Sequence, residues 1–122
     1  DASELIEGIT GGVYDSISID ENFNVFLNTP SRLVPIEQAS SGTMDQVYLA
    51  LRIAAGRLMQ GRAKELPFIF DDSFVNYDSI RLRVALLWIA NNVPEQIIVF
   101  SCHMREAQLM TATMQDFNLI EL

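Results

Sequence analysis

Several features that define other protein classes are scarce or missing in these 122 residues. With a single cysteine, Cys102, no internal disulfide can form, and the expected compartment is the reducing cytoplasm. No apolar run approaches the ~20 residues that a membrane-crossing helix needs, so no membrane partner is expected. The first residues, with Asp1, Glu4 and Glu7, lack the basic start and apolar stretch of a secretory signal. Basic residues are few: eight Lys and Arg stand against sixteen Asp and Glu, for a formal charge of -8. That balance argues against a broad electrostatic footprint for nucleic acid on this chain, so any DNA contact is expected from other parts of the full-length protein. There is no internal repeat, low-complexity tract or clear linker. The phosphate-cradling loop G-x-x-x-x-G-K-[ST] occurs nowhere. The chain opens on Asp1 rather than a methionine and reads as a piece of something longer.

What is present is a core. At 49% hydrophobic, the chain fits one globular domain spanning 1–122. Glu4 to Ile9 reads as the end of a helix stopped by Gly11-Gly12, a pair suited to the left-handed backbone of a helix terminus. Tyr14, Ile17 and Ile19, then Val25 to Leu27, then Arg32 to Ile36 read as an antiparallel meander with a turn at Asp20-Glu21-Asn22. From Thr43 the period changes. Val47, Leu51, Ala54 and Leu58 recur at three- and four-residue spacing, Thr43-x-x-Gln46 has the form of a capping box, and a helix to about Met59 is expected.

A buried strand over Phe68 to Phe70 follows. Asp78 can cap a second helix bearing Ile80, Val84, Leu87 and Trp88, ended by Asn91-Asn92 and Pro94. Ile97 to Phe100 reads as another continuous apolar strand, Arg105 to Met110 as a short helix, and Phe117 to Leu122 as a last strand. Unbroken apolar strands alternating with helices predict an α/β fold with a largely parallel sheet, where ligands bind beyond the carboxyl ends of the strands. Asp71, Asp72 and His103 all fall at such ends.

Those residues carry the candidate chemistry. Magnesium prefers oxygen ligands and keeps several waters, so one strand-end carboxylate plus nucleotide phosphates holds it well, and Asp71 suits that role. A second carboxylate can orient or deprotonate the attacking water in phosphoryl transfer, which suits Asp72. The plainer alternative is that the pair begins a turn and caps the next helix. Ser40, Ser41, Gly42 and Thr43 open a helix, where free N–H groups and the dipole form an anion site; ordinary capping accounts for the same residues. His103, the lone histidine, can donate to a phosphate oxygen or be structural. Cys102 is expected to be a buried small hydrophobe, because adjacent strand residues face opposite ways.

Ala39-Ser40-Ser41-Gly42-Thr43, followed by Gln46 to Ala54, resembles the signature motif and signature helix of ABC-type ATPases. The likeness is strongest to the coiled-coil branch of structural-maintenance-of-chromosomes, RecF, RecN and YhaN-like proteins. Leu66 to Asp72 resembles the Walker B strand, Val75-Asn76-Tyr77-Asp78 the D-loop, and Val99-Phe100-Ser101-Cys102-His103 the switch-histidine strand. The resemblance implies the C-terminal lobe of a P-loop NTPase head in a DNA-repair or chromosome-associated machine, with ATP and Mg2+ as cofactors of the completed head. Ser40 and Gly42 would contact the terminal phosphate of ATP held by a second copy of the head. Asp71 would serve magnesium, Asp72 the attacking water, Asn76 and Asp78 communication between the two sites, and His103 the terminal phosphate.

Four positions depart from the family pattern. Ser41 replaces the usual first glycine, Thr43 the usual glutamine or glutamate, and Ser73 the usual proline. Asp72 stands where most members carry glutamate, one methylene longer, and a misplacement on the order of 1 Å can cost ~100-fold in rate. RecF-like and YhaN-like members resemble this chain in having Asp-Asp there; Ser41, Thr43 and Ser73 favour an alternative, a non-catalytic assembly or regulatory module that kept the fold. A transporter ATPase is disfavoured, because those domains normally carry Walker A within the same continuous domain. The missing Walker A must come from an N-terminal lobe. The isolated chain is therefore expected neither to bind ATP tightly nor to hydrolyse it; calorimetry should find no micromolar binding, and finding it would overturn this reading.

Overall fold

The computed structural model describes residues 2–61 and 66–122. Its elements are α1 (Ala2–Ile9), β1 (Ser16–Ile19), β2 (Val25–Asn28), β3 (Leu33–Pro35), a 3-10 turn (Ile36–Gln38), α2 (Ser41–Gln60), β4 (Phe68–Asp71), α3 (Ser79–Asn92), β5 (Ile97–Phe100) and α4 (Arg105–Ala112). The fold is α/β with two small sheets, an antiparallel meander in the order β1-β2-β3 and a parallel pair β4-β5. Part of the Leu66 to Asp72 motif thus lies just outside β4, which begins at Phe68.

The first turn and helix follow from local chemistry. Gly11 and Gly12 take φ of +65° and +81°, and the Gly12 N–H returns to the Glu7 carbonyl at 2.8 Å, closing α1. Between β1 and β2, Asp20 Oδ1 accepts from the N–H groups of Asn22 (2.8 Å) and Asn24 (2.9 Å), an aspartate turn. α1 packs on α2, α3 and β1, and its buried Leu5, Ile6 and Ile9 join Leu27, Ile53 and Phe70 in the core. Gly8 permits the close approach, since a Cβ there would fall 1.9 Å from Trp88 Cε2.

Four expectations are corrected. The parallel sheet is two strands rather than the larger part of the strand content, because β4-α3-β5 is the one strand-helix-strand succession among the described residues whose two strands pair. Residues 117–122 form no strand: no described backbone edge pairs with them, and an unpaired strand leaves its N–H and C=O groups without partners. The buried stripe of α2 runs through Val47, Leu49, Ala50 and Ile53, leaving Leu51 and Leu58 exposed. That of α3 runs through Leu82, Ala85, Leu86 and Ile89 rather than Ile80, Val84, Leu87 and Trp88. Both helices are apolar on more than one face, so periodicity alone offered two stripes.

The parallel pair is also covered on only one side. Phe68 and Phe70 point inward, while Ile69 and, on the neighbouring strand, Phe100 stand exposed on the opposite face.

Far from this edge, Arg57 on α2 grips Glu95 before β5 in a forked pair, Nε to Oε1 at 2.9 Å and Nη2 to Oε2 at 3.1 Å. The glutamate side chain is 4% exposed. Removing the cation takes both forked hydrogen bonds from a buried carboxylate, so Arg57→Ala should destabilise the fold by ~2 kcal/mol in urea denaturation. A change under about 0.5 kcal/mol would mean that the pair is in effect a surface one.

Candidate functional site

β4 ends on Asp71, and the next residue turns sharply: Asp72 has φ +49°, a left-handed conformation in which aspartate is among the better-tolerated residues. Its N–H donates to the Phe100 carbonyl at 2.9 Å, continuing the ladder one step past the strand. Its carboxylate Oδ1 then accepts from the Cys102 N–H at 3.3 Å. The acidic pair and the loop carrying His103 therefore sit together beyond the carboxyl ends of the two parallel strands. His103 is exposed, and its N–H donates to Ser101 Oγ at 3.0 Å; that hydroxyl lies 3.1 Å from Glu106 Oε2 at the start of α4.

Cys102 corrects the expectation of burial. It is exposed, with Sγ 3.9 Å from Asp72 Oδ2. β5 stops at Phe100, so the alternation of strand side chains no longer governs it.

The turn after the acids is held by two arginines. Arg52 Nη1 on α2 donates to Ser73 Oγ at 3.2 Å, with its guanidinium 5.4 Å from the Phe70 ring centre. Arg105 Nη1 on α4 donates to the Tyr77 carbonyl at 2.7 Å, and its Nη2 to that of Phe74. Asn76 is exposed and makes no hydrogen bond among the described residues. Asp78 caps α3, its Oδ1 accepting from the Arg81 N–H at 2.8 Å while Oδ2 pairs with the Arg81 guanidinium. Those two donors, the backbone N–H first, hold its carboxyl below the usual range.

The second cluster opens α2. Ser40, not Thr43, is the cap: its Oγ accepts from the Thr43 N–H at 3.2 Å and donates to Thr43 Oγ1 at 3.0 Å. The box expected from Thr43 to Gln46 is not formed. Gln46 is buried and donates from Nε2 to the Ile9 carbonyl at 2.9 Å, bolting the end of α1 to α2. Ser40 and Ser41 face solvent, whereas Gly42 and Thr43 are buried. Arg81 Nη2 reaches Ser40 Oγ at 3.3 Å, so this cluster includes Asp78 through Arg81. A cleft of about 320 Å³ lies beside it, lined by Tyr14, Thr43, Gln46, Asp78 and Arg81 among others.

The nine residues singled out thus divide. Asp71, Asp72 and His103 gather at one place, Ser40, Ser41, Gly42, Thr43 and Asp78 at another, and Asn76 lies on the turn between. No side-chain hydrogen bond or ion pair joins the two sets among the described residues. No group of three or more His, Cys, Asp or Glu there could hold a metal by itself. Exposed Asp71 still fits magnesium, which needs one or two carboxylates and takes its remaining ligands from phosphate and water. Sequence reasoning missed Arg81 and Arg52. The i,i+3 spacing of Asp78 and Arg81 in a first helical turn was a usable signal for the former; no spacing marks the latter.

The chain is 35% identical over 106 residues to the uncharacterized protein YhaN of Bacillus subtilis (strain 168), an alignment covering 84% of this chain and 11% of YhaN. It superposes on a solved SMC ATPase structure with a TM-score of 0.67 at 15% identity, covering 88% of this chain and 68% of that one. That structure belongs to work on ATP-driven dimerization and DNA-stimulated activation of SMC ATPases. This chain resembles the C-terminal lobe of an SMC- and YhaN-like ATPase head. No family model matches it. The chain spans about a tenth of the length of the YhaN relative. No described helix is long and apolar enough to cross a membrane.

One residue of the turn between β4 and α3 makes a direct test of the packing. Tyr77 is buried, its hydroxyl has no hydrogen-bond partner among the described residues, and burial pushes its phenol well above its ordinary value, with Asp45 adding to the rise. Above pH 10 the unfolded chain ionises this group while the fold keeps it neutral, so stability falls as pH rises. Tyr77→Phe should leave neutral-pH stability unchanged or raise it by about 1 kcal/mol, and should flatten the alkaline decline in a pH series of thermal unfolding. A loss of 2 kcal/mol or so would mean the hydroxyl has a partner.

Proposed function

We propose that the chain is the C-terminal half of an ATP-binding and ATP-hydrolysing head of the P-loop NTPase class, in a coiled-coil machine of DNA repair or chromosome maintenance. The observation that carries this reading is the contact between Asp72 and the 101–103 loop, which joins Walker B-like acids to a switch-histidine-like loop. Support also comes from the solvent-facing start of α2 in a separate place. A site assembled from two copies needs the signature-like group to be available to another molecule rather than spent on its own acids.

The roles proposed are those the family resemblance implies, and the geometry is compatible with them. Asp71 holds magnesium, Asp72 orients the attacking water, and His103 donates to the terminal phosphate. When bound, ATP and magnesium supply the charge-neutralised phosphoryl group on which hydrolysis acts. The start of α2 faces the nucleotide of a second copy through exposed Ser40 and Ser41, with Gly42 and Thr43 buried behind them; Asp78 stands beside this start and Asn76 on the turn between the two places. The Walker A loop comes from an N-terminal lobe that covers the open side of the β4-β5 pair, where Ile69 and Phe100 stand exposed. DNA is bound by other parts of the full-length protein, consistent with the charge of -8.

The departures that favoured a non-catalytic module acquire local roles in this structure. Thr43 supplies both the N–H and the hydroxyl that hold Ser40, and Ser73 receives Arg52. In the intact protein, Asp72→Asn should lower ATP turnover by ~100-fold or more, the usual worth of a positioned base, while ATP-dependent head pairing persists in analytical ultracentrifugation. Unchanged turnover would remove Asp72 from the mechanism.

A further inference from the structure

Arg81 lies across the start of α2. One guanidinium nitrogen pairs with Asp78, another reaches Ser40 Oγ at 3.3 Å, and a Cβ on Gly42 would come within 3.2 Å of Arg81 Cδ and Nη1. Gly42 has no positive φ to explain it. A side chain at this position would push the arginine stem aside by a few tenths of an ångström.

The Ser40 hydroxyl has two acceptor lone pairs and one proton. The Thr43 N–H and the Arg81 guanidinium fill both lone pairs, and the proton goes to Thr43 Oγ1 at 3.0 Å. That acceptor is a neutral hydroxyl. An anionic oxygen arriving at the exposed Ser40 is the stronger acceptor and displaces it, because charge-assisted hydrogen bonds are roughly twice as strong as neutral ones.

We infer that Arg81 is a positioning residue of the signature-like cluster: clamped by Asp78 and seated over Gly42, it fixes Ser40 as a hydrogen-bond donor toward a phosphate oxygen presented by a second copy of the head. This rests on the proposed two-copy reading and adds to it a physical link between the D-loop-like Asp78 and the signature-like serine. Arg81 acts through Ser40 rather than on the reacting atoms.

The test uses the intact protein carrying its Walker A lobe, with ATP as the probe and an Asp72→Asn background to suppress turnover. Ser40→Ala, Arg81→Ala and the double variant are compared by ATP-dependent pairing in analytical ultracentrifugation, by ATP binding to unpaired heads, and by thermal unfolding. Arg81→Gln, which keeps the stem and loses the charge, is run beside them to separate the guanidinium from any effect on helix stability. Arg81→Ala and Arg81→Gln should each weaken ATP-dependent pairing about tenfold, the effect of losing one charge-assisted hydrogen bond, while ATP binding by unpaired heads is unchanged. The double variant should be no weaker than Ser40→Ala, because both lesions remove one interaction. Wild-type pairing in the Arg81 variants with a defect in Ser40→Ala overturns the inference and leaves the two-copy reading standing. Multiplying effects in the double variant also overturn it. Wild-type pairing in Ser40→Ala sinks the two-copy reading itself.

Discussion

The step of the parallel ladder beyond β4, where the Asp72 N–H meets the Phe100 carbonyl, decides where the candidate site of this molecule lies. Because β4 and β5 run the same way and in register from Phe68 with Ile97 to Asp71 with Phe100, both strands expire at one edge. The acids of one strand and the loop leaving the other are then forced together, and the left-handed turn at Asp72 aims its carboxylate at the Cys102 N–H. Everything after that is support. Arg52 and Arg105 pin the turn behind the acids from α2 and α4, and the aromatic group Phe70, Phe74 and Tyr77, stacked edge to face, forms the floor below it.

The start of α2 obeys a different constraint. It is fixed through its buried turn, by Gln46 on the end of α1 and by Thr43 on Ser40, while its first two serines face outward. A helix start held rigidly from inside and open outside is well arranged to meet another molecule. On the proposed reading the chain contributes to two nucleotide sites and completes neither. The bare face of the β4-β5 pair fits the same picture, since an α/β sheet of this kind is ordinarily covered on both sides.

Much of this was legible in the residues. The Gly11-Gly12 stop, the aspartate cap of α3 and the strand ending in Asp71-Asp72 are local devices, each readable within a few positions. The motif order carried the resemblance. What escaped reading was non-local or degenerate. The inward faces of α2 and α3 were misjudged because each helix offers a second apolar stripe; the exposed Leu51 and Leu58 resemble core positions until the packing partner is known. The tail after α4 has strand-like residues but no described edge to join. Cys102 was misplaced by extending strand alternation two residues past the end of β5. Arg81 and Arg52 act across 41 and 21 positions of sequence, on Ser40 and Ser73, which no short-range pattern records.

The central claim, that the acids of one copy work with the serine of another, is tested most directly by mixing two damaged forms of the intact protein. One carries Ser40→Arg and the other Asp72→Asn, and each alone should be nearly inactive. If the groups act across copies, a mixed pair concentrates both lesions in one site and leaves the second whole. Turnover at equal mixing should then recover to about a quarter of the undamaged rate, since half the pairs are mixed and each keeps one of two symmetric sites. Turnover that stays at the level of the two parents would contradict the account and place both groups in a single site of one chain.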